Sequence, residues 1–181
     1  MKNMKLGSKK ASRRLKSEKT CCSKRIHKQD YKRDERKSLI VYLIDASVAS
    51  RFLLIEDLSD EANLVLDNFL EGKLDLRAPK LVIYEVGNTL LKAVKQGFIS
   101  LEEATQKFSY FLELRINSIE LDRKEHEDVL EWSVKNNATY YDSAYVMSSK
   151  KIGATLLTAD DTLYEKALEE IPTIHLKDYQ R

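Results

Sequence analysis

The fold is decided by the stretch Leu39-Ile-Val-Tyr-Leu-Ile44, the longest uninterrupted apolar run in the 181 residues. Asp45 follows it directly. A short, continuous apolar run rich in β-branched side chains is typical of a parallel strand covered on both faces. It falls far short of the roughly 20 residues that cross a bilayer, and no apolar segment follows the basic start as a signal peptide requires. We therefore expect a soluble, cytoplasmic protein that does not associate with a membrane.

Downstream of this strand, helical stripes of apolar residues alternate with short apolar runs. Helices are predicted up to about Leu54, from Ser59 to Gly72, from Pro79 to Gly97, from Ser100 to Leu114, from Lys124 to Asn136, from Tyr141 to Lys151 and from Asp161 to Glu170. Further strands are predicted at 74–78, 116–121, 154–157 and 173–176. The alternation predicts an α/β fold, with a central parallel sheet of four to five strands and helices packed on both faces.

Upstream, residues 1–37 differ sharply in composition from the rest. They hold 15 Lys and Arg against 4 Asp and Glu, a net charge of +11, whereas residues 38–181 hold 16 and 25, a net charge of −9. Only 9 of the first 37 residues are apolar, too few to offset the entropy of ordering the segment. We expect a disordered basic extension, 1–38, ahead of one domain, 39–181.

This extension has three interpretations. It is an arm that binds nucleic acid through phosphates, a solvated extension with no partner, or a stretch upstream of the true start site that is never translated. Its Cys21 and Cys22 are the only cysteines and are adjacent, which excludes a disulfide framework and a zinc site of the usual spacing.

Two acids directly follow predicted strands. Asp45 ends the first strand, and Asp160 follows the apolar run that begins at Thr155. In an open parallel sheet, ligands collect outside the carboxyl ends of the strands, and these two strands could be neighbours. Each acid has a second interpretation, because either could simply cap the helix that follows it.

Two further acids lie on predicted helices. Glu85 borders an apolar stripe, where a half-buried carboxylate needs a partner; a salt bridge to Lys92 or simple exposure is the alternative. Asp142 falls in the first turn of its helix, where the helix dipole favours a carboxylate without any further role. Taken together, the four acids form an ordered set: strand-end Asp, mid-helix Glu, helix-start Asp and strand-end Asp.

With this order of acids, the chain resembles the PIN-domain nucleases, and especially the VapC toxins of toxin–antitoxin pairs. The resemblance extends from Leu39 to about Leu176. It rests on four segments: Tyr42-Leu-Ile-Asp-Ala-Ser-Val48, Pro79 through Tyr84-Glu-Val-Gly-Asn-Thr-Leu-Leu91, Tyr141-Asp-Ser-Ala-Tyr145 and Leu156-Leu-Thr-Ala-Asp160. It implies a PIN-like fold with an acidic pocket for Mg²⁺ or Mn²⁺, formed by Asp45, Glu85, Asp142 and Asp160. It also implies supporting polar positions near the pocket at Ser47, Asn88 and Thr158.

The chemistry of these residues agrees with a hard cation. Converging carboxylates repel one another unless a cation compensates their charge or some of them take up protons. Oxygen ligands without a usable His or Cys suit Mg²⁺ or Mn²⁺ rather than Zn²⁺. Such an ion would supply a water acidic enough to attack a phosphodiester, so no nucleophilic side chain would be required.

The resemblance also implies the substrate and the partners. It implies an endoribonuclease that cuts RNA internally, is restrained by a VapB-like antitoxin and forms a homodimer through helices of its first half. Since the domain carries a net charge of −9, RNA would need a positive rim. Candidates for that rim, each equally plausible as an ordinary surface charge, are Arg51, Lys92, Lys95, Lys150 and Lys151. Residues that could form the dimer surface, or could equally be core, are Phe52, Leu53, Leu54, Phe69 and Leu70.

Two other classes of function compete with the nuclease. The first is a PIN fold that holds RNA or a protein without cutting it, using the basic tail; the intact acids argue against it. The second is phosphotransfer on an aspartate at the end of the first strand. Asp45 is not followed by the second Asp, two residues on, that haloacid-dehalogenase-like phosphatases use, and Glu85 would have no role there.

Overall fold

A parallel sheet of five strands lies at the centre of this computed structural model, which describes residues 39–180. The strands are β1 (Ile40–Ile44), β2 (Leu74–Pro79), β3 (Asn117–Ile119), β4 (Thr155–Thr158) and β5 (Thr173–His175). Their order across the sheet is β3-β2-β1-β4-β5, and every neighbouring pair is parallel. The prediction of an α/β fold with a central parallel sheet is confirmed.

Seven α-helices connect these strands within the described residues. They are α1 (Ala46–Arg51), α2 (Ser59–Leu70), α3 (Leu81–Lys95), α4 (Leu101–Glu113), α5 (Arg123–Lys135), α6 (Tyr140–Ile152) and α7 (Asp161–Ala167), and a short 3-10 turn (Leu176–Asp178) follows β5. Because crossovers between parallel strands are right-handed, α1 to α4 cover one face of the sheet and α5 to α7 cover the other.

The order of the strands reverses at β1. The chain moves from β1 to β2 and β3 on one side, and then returns to β4 on the other side. The register pairs Tyr42 with Thr155 and Ile44 with Leu157, which confirms that β1 and β4 are neighbours. The residues that follow these two strands therefore meet at one edge of the sheet, at the kind of crevice where open parallel sheets bind their ligands.

The opening apolar run is buried only in its second half. Leu43 and Ile44 are 0% exposed, whereas Ile40, at the amino end of β1, is 61% exposed. The first strand is therefore covered on both faces only towards its carboxyl end. Asp45 follows directly after this buried half.

The helices begin within one residue of the predicted positions, with one correction, whereas α1 and α7 end at Arg51 and Ala167, three residues before the predicted Leu54 and Glu170. Ser100 and Glu103 form a capping box at the start of α4, as their spacing predicts. The helix predicted to begin at Pro79 begins instead at Leu81, because Pro79 is the last residue of β2 and pairs with β3. Proline fixes φ at a value that suits the end of a strand as well as the start of a helix. The later start still leaves Glu85 within α3.

Buried hydroxyl groups hold α6 against α5. Ser133 Oγ lies 2.6 Å from the carbonyl oxygen of Val129 and 2.8 Å from Ser143 Oγ, which donates to the carbonyl oxygen of Thr139 at 2.8 Å. These bonds satisfy hydroxyls that are shielded from water. They fix the rotation of α6, and with it the direction of the side chains that α6 carries.

The predicted dimer surface is partly core. Phe52 and Leu53 are 7% and 5% exposed and pack inside the domain. Leu54, Phe69 and Leu70 are partly buried.

The predicted basic extension, 1–38, and its two cysteines lie outside the described residues, so the domain boundary stays a prediction. Within residues 39–180, no helix combines the length and the apolar character needed to span a bilayer.

Candidate active site

Asp45 is the most buried of the four predicted acids, at 4% exposure. Its carboxylate accepts hydrogen bonds from Ser47 Oγ (2.7 and 2.9 Å), from Thr158 Oγ1 (2.7 Å) and from the backbone N of Val48 (3.0 Å). The bond from Val48 makes Asp45 the N-cap of α1, so it caps a helix and also occupies the site. Burial raises the pKa of Asp45 and the charge of Asp160 raises it further, although the hydrogen bonds oppose this.

Two hydroxyl groups join the ends of β1 and β4. Ser47 Oγ accepts a hydrogen bond from the N of Ala159 at 2.8 Å, and Thr158 Oγ1 accepts one from the N of Asp160 at 3.0 Å. Both hydroxyls donate to Asp45. Ser47 and Thr158, predicted as supporting positions, therefore fix the carboxylate to both strands.

Asp160 is exposed and caps α7 by accepting a hydrogen bond from the N of Leu163 at 2.9 Å. Its neighbour Asp161 lies against β5 instead, with Oδ1 3.3 Å from His175 Nε2. The charge that acts on Asp45 is that of Asp160.

Glu85 is half-buried on α3, and its partner comes from α6. Tyr145 Oη donates a hydrogen bond to Glu85 Oε2 at 2.6 Å. The partner of Glu85 is therefore a tyrosine, and not Lys92, which the sequence offered as one alternative. Burial raises the pKa of Glu85, the charges of Asp45 and Asp142 raise it further, and the bond from Tyr145 opposes them.

Asp142 lies in the first turn of α6, where its backbone N donates to the capping Thr139 Oγ1 at 3.0 Å. The position suits the helix dipole, and its charge also acts on Glu85. The dipole interpretation of Asp142 therefore agrees with the structure, and its role in the acidic pocket stays a prediction.

Tyr145 is a contributor to the site that the sequence analysis did not assign. It is 2% exposed, and its ring packs in the core with Leu43 and Trp132. Burial and the charge of Glu85 raise the pKa of Tyr145 far above its ordinary value, so the hydroxyl remains a donor. The sequence signal that points to Tyr145 is its position one turn after Asp142 on the same helix. A buried tyrosine hydroxyl needs a hydrogen-bond acceptor, and a nearby carboxylate can supply it.

The four acids form a chain of electrostatic contacts rather than a closed cage. Asp45 is coupled to Glu85 and to Asp160, and Glu85 is coupled to Asp142. Across the described part of the chain, no three His, Cys, Asp or Glu side chains stand in a ready metal-ligand arrangement. Like charges hold carboxylates apart, and a cation allows them to converge.

The donor set fits a hard divalent ion. Every candidate ligand is a carboxylate oxygen, and no basic side chain is among the causes that shift the pKa of Asp45 or Glu85. Such oxygens are the ligands that Mg²⁺ and Mn²⁺ prefer. The assignment of the four acids as ligands stays a prediction.

Two of the five predicted basic residues lie beside Glu85. Arg51 and Lys92 line an open pocket between α1 and α3, to which Glu85 also contributes. Asn88, predicted as a supporting position, is exposed and lines the same pocket. Lys95 is exposed in the last turn of α3 and is not part of the lining.

Lys150 and Lys151 lie at the far end of α6. They occupy its last turn, about 12 Å along the helix from Asp142 in the first turn. Lys150 pairs with Glu170, and Lys151 Nζ lies 2.7 Å from a carboxylate oxygen of Glu125. The structure does not bring these two lysines to the acids.

Comparisons with known proteins agree with the resemblance stated above. Residues 42–169 match the sequence model of the PIN domain. Ribonuclease VapC3 of Pyrobaculum aerophilum is 31% identical over 128 residues, which span 68% of this chain and 92% of the relative. The crystal structure of PAE2754 from the same organism has a TM-score of 0.58 and 24% sequence identity, and covers 77% of this chain and 92% of that one. At this identity the structural likeness shows the fold alone.

Proposed function

This chain belongs to the PIN domain family, as a nuclease of the VapC type, and we propose that it is a metal-dependent endoribonuclease that acts as the toxin of a toxin–antitoxin pair. The observation that carries the proposal is geometric: Thr158 joins Asp45 to the end of β4 beside Asp160, and Tyr145, one turn after Asp142 on α6, joins α6 to Glu85. Acids from four distant parts of the chain serve no common structural purpose there, and their mutual repulsion is a cost to the fold.

Asp45, Glu85, Asp142 and Asp160 would hold Mg²⁺ or Mn²⁺. When bound, such an ion makes a coordinated water more acidic and offsets negative charge on the phosphate and on the leaving oxygen. The protein's part is orientation. Hydrogen bonds fix Asp45 at the buried end of β1, and Tyr145 fixes Glu85 from the opposite helix. Pre-orientation of this kind limits the reorganisation left for the reaction itself.

The partners follow from the same proposal. The substrate is RNA, whose backbone Arg51 and Lys92 would hold beside the acids. A VapB-like antitoxin would restrain the enzyme by covering the pocket, a homodimer would form through helices of the first half, and the enzyme would work in the cytoplasm.

The test is cleavage of RNA in Mg²⁺ or Mn²⁺ by the full chain and by Asp142→Asn. Asp142 is half-exposed, so the variant keeps the fold, and we expect activity to fall by about 100-fold or more. Asp128→Asn is the matched control, because Asp128 is a helical carboxylate of α5 that pairs with Lys124 away from the site. Circular dichroism checks both folds.

If Asp142→Asn cleaves RNA at the same rate as Asp128→Asn, the proposed active site is wrong. RNA binding that persists in EDTA, with no cleavage of any RNA offered, would favour the binding module instead.

A further inference from the structure

An open pocket of about 230 Å³ lies between α1 and α3, directly beside Glu85. We call it the α1–α3 pocket; its lining includes Ser50, Arg51, Glu56, Glu85, Asn88 and Lys92. Glu85, Asn88 and Lys92 occupy successive turns on one face of α3. Glu85 belongs to the acidic site, and about 10 Å of helix separates it from Lys92, so the pocket extends the site along α3.

The walls of this pocket are rich in hydrogen-bond donors. Arg51 is held in place because it donates to the carbonyl oxygens of Ser47 at 2.6 Å and Asp57 at 2.7 Å. A guanidinium has five N–H groups, so others remain for a ligand. Lys92 and Asn88 add an ammonium and an amide, and both side chains are exposed.

Ser50 provides a second, independent observation. It is 5% exposed and lines the pocket, and its Oγ is buried with no hydrogen-bond partner among the described residues. Buried hydroxyls are normally satisfied, so an unpartnered one beside a polar pocket points to a ligand. Glu56 also lines the pocket, but its carboxylate is 3.8 Å from Arg51, beyond hydrogen-bond distance, and 40% exposed. An anion could therefore replace it at the guanidinium.

The lining favours a phosphate over a nucleobase as the main ligand. No aromatic side chain lines the pocket, so a base would find nothing to stack on. A phosphate with the edge of its sugar suits both the volume and the donors.

We propose that the α1–α3 pocket binds the backbone phosphate of the nucleotide adjoining the cleaved bond, through Arg51, Asn88 and Lys92, and that it does so without regard to the base. The inference rests on the proposed function, since it takes Glu85 as part of the cleavage site. It assigns to this pocket the positioning of RNA along α3.

The test measures RNA binding by fluorescence anisotropy in the full chain carrying Asp142→Asn, which the proposed function makes inactive. The probes are labelled oligouridylate and oligoadenylate of about ten nucleotides, titrated at salt concentrations from about 50 to 300 mM. Lys92→Gln is added to this background. Lys73→Gln is the matched control, since Lys73 is an exposed lysine that pairs with Glu71 before β2, at the opposite edge of the sheet.

We expect Lys92→Gln to weaken binding of both RNAs by about five- to tenfold and to reduce the slope of log K against log salt by about 0.7, the loss of one phosphate contact. Lys73→Gln should stay within about twofold of the background, because it removes the same charge far from the pocket. If Lys92→Gln and Lys73→Gln behave alike, or if Lys92→Gln affects only one of the two RNAs, the inference is overturned.

The outcome separates this inference from the proposed function. If the chain without substitutions cuts no RNA in Mg²⁺ or Mn²⁺ but Lys92→Gln still shows its effect, the pocket is a backbone site on a module that does not cleave. If RNA is cut and Lys92→Gln matches Lys73→Gln, the nuclease stands and the pocket has no such role.

Discussion

At the scale of single residues, the acids of the proposed site also have structural roles. Asp45 and Asp160 both cap helices, and Asp142 lies where a helix dipole favours it. Capping does not use the whole carboxylate, because the capping bond engages only Oδ1 in Asp45 and in Asp160. The sequence can therefore identify the acids, but cap and ligand are not exclusive alternatives.

Tyr145→Phe tests the hydrogen bond to Glu85. The ring still fills its place in the core, but Glu85 loses the donor that orients it. We expect the Mg²⁺ or Mn²⁺ concentration that gives half of the thermal stabilisation to rise by about 10- to 100-fold, as for other outer partners of ligands.

The measurement is thermal unfolding of Tyr145→Phe across a metal titration. Tyr110→Phe is the matched control, because Tyr110 is also buried but lies on α4. A midpoint unchanged by Tyr145→Phe would show that its hydroxyl does not position Glu85.

Tyr145 also marks the limit of what the sequence predicts at this scale. Its hydroxyl meets a carboxylate 60 positions earlier in the chain, and no periodic pattern encodes that contact. The basic residues show the same limit. Charge alone suggested Lys92 and Lys150 equally, and only the packing of the helices sets one beside Glu85 and pairs the other with Glu170.

At the scale of elements, the helices and strands follow local chemistry closely. Apolar spacing predicts the face that α3 buries, and Val82, Val86, Leu90 and Ala93 are indeed buried. The start of α3 departs from prediction because Pro79 suits a strand end and a helix start alike.

Gly87 in the middle of α3 offers a test of this element. A Cβ there would lie 3.6 Å from Phe108 Cζ on α4, an ordinary van der Waals distance, and the helical backbone needs no glycine. We expect Gly87→Ala to raise the free energy of unfolding by about 0.5 to 1 kcal/mol, because alanine loses less backbone entropy in a helix.

Urea unfolding of Gly87→Ala measures this change. Gly153→Ala provides the contrast, since Gly153 ends α6 with a positive φ of 61° that a side chain strains. Destabilisation by Gly87→Ala would mean that α3 and α4 pack more closely than the distance to Phe108 indicates.

At the scale of the whole molecule, two of the acids couple stability to pH. Burial and neighbouring charges raise the pKa of Asp45 and Glu85 above 3.8 and 4.5. The stability that such a group contributes is complete below its unfolded pKa and is lost as pH rises through the folded pKa. In EDTA, these two acids therefore destabilise the protein at neutral pH.

We expect Mg²⁺ to raise Tm more at about pH 7.5 than at about pH 5, because the ion binds deprotonated carboxylates and compensates charge that is present mainly at the higher pH. Calorimetry with and without Mg²⁺ measures this. Glu85→Gln keeps an acceptor for Tyr145 but carries no charge. The increase in Tm that Mg²⁺ causes should therefore differ less between the two pH values in this variant. A Mg²⁺ effect independent of pH would contradict the coupling.

The strand order that brings β4 beside β1 has a consequence during synthesis. Thr158 and Asp45, which share a hydrogen bond, stand 113 positions apart, and contacts between such distant residues are slow to form. A nascent chain from which only β1 to β3 have left the ribosome contains Asp45 and Glu85 but not yet Asp142 and Asp160. Under the proposed function, the emerging polypeptide would therefore lack a complete site for RNA cleavage until the residues that follow the fourth strand have left the ribosome and docked.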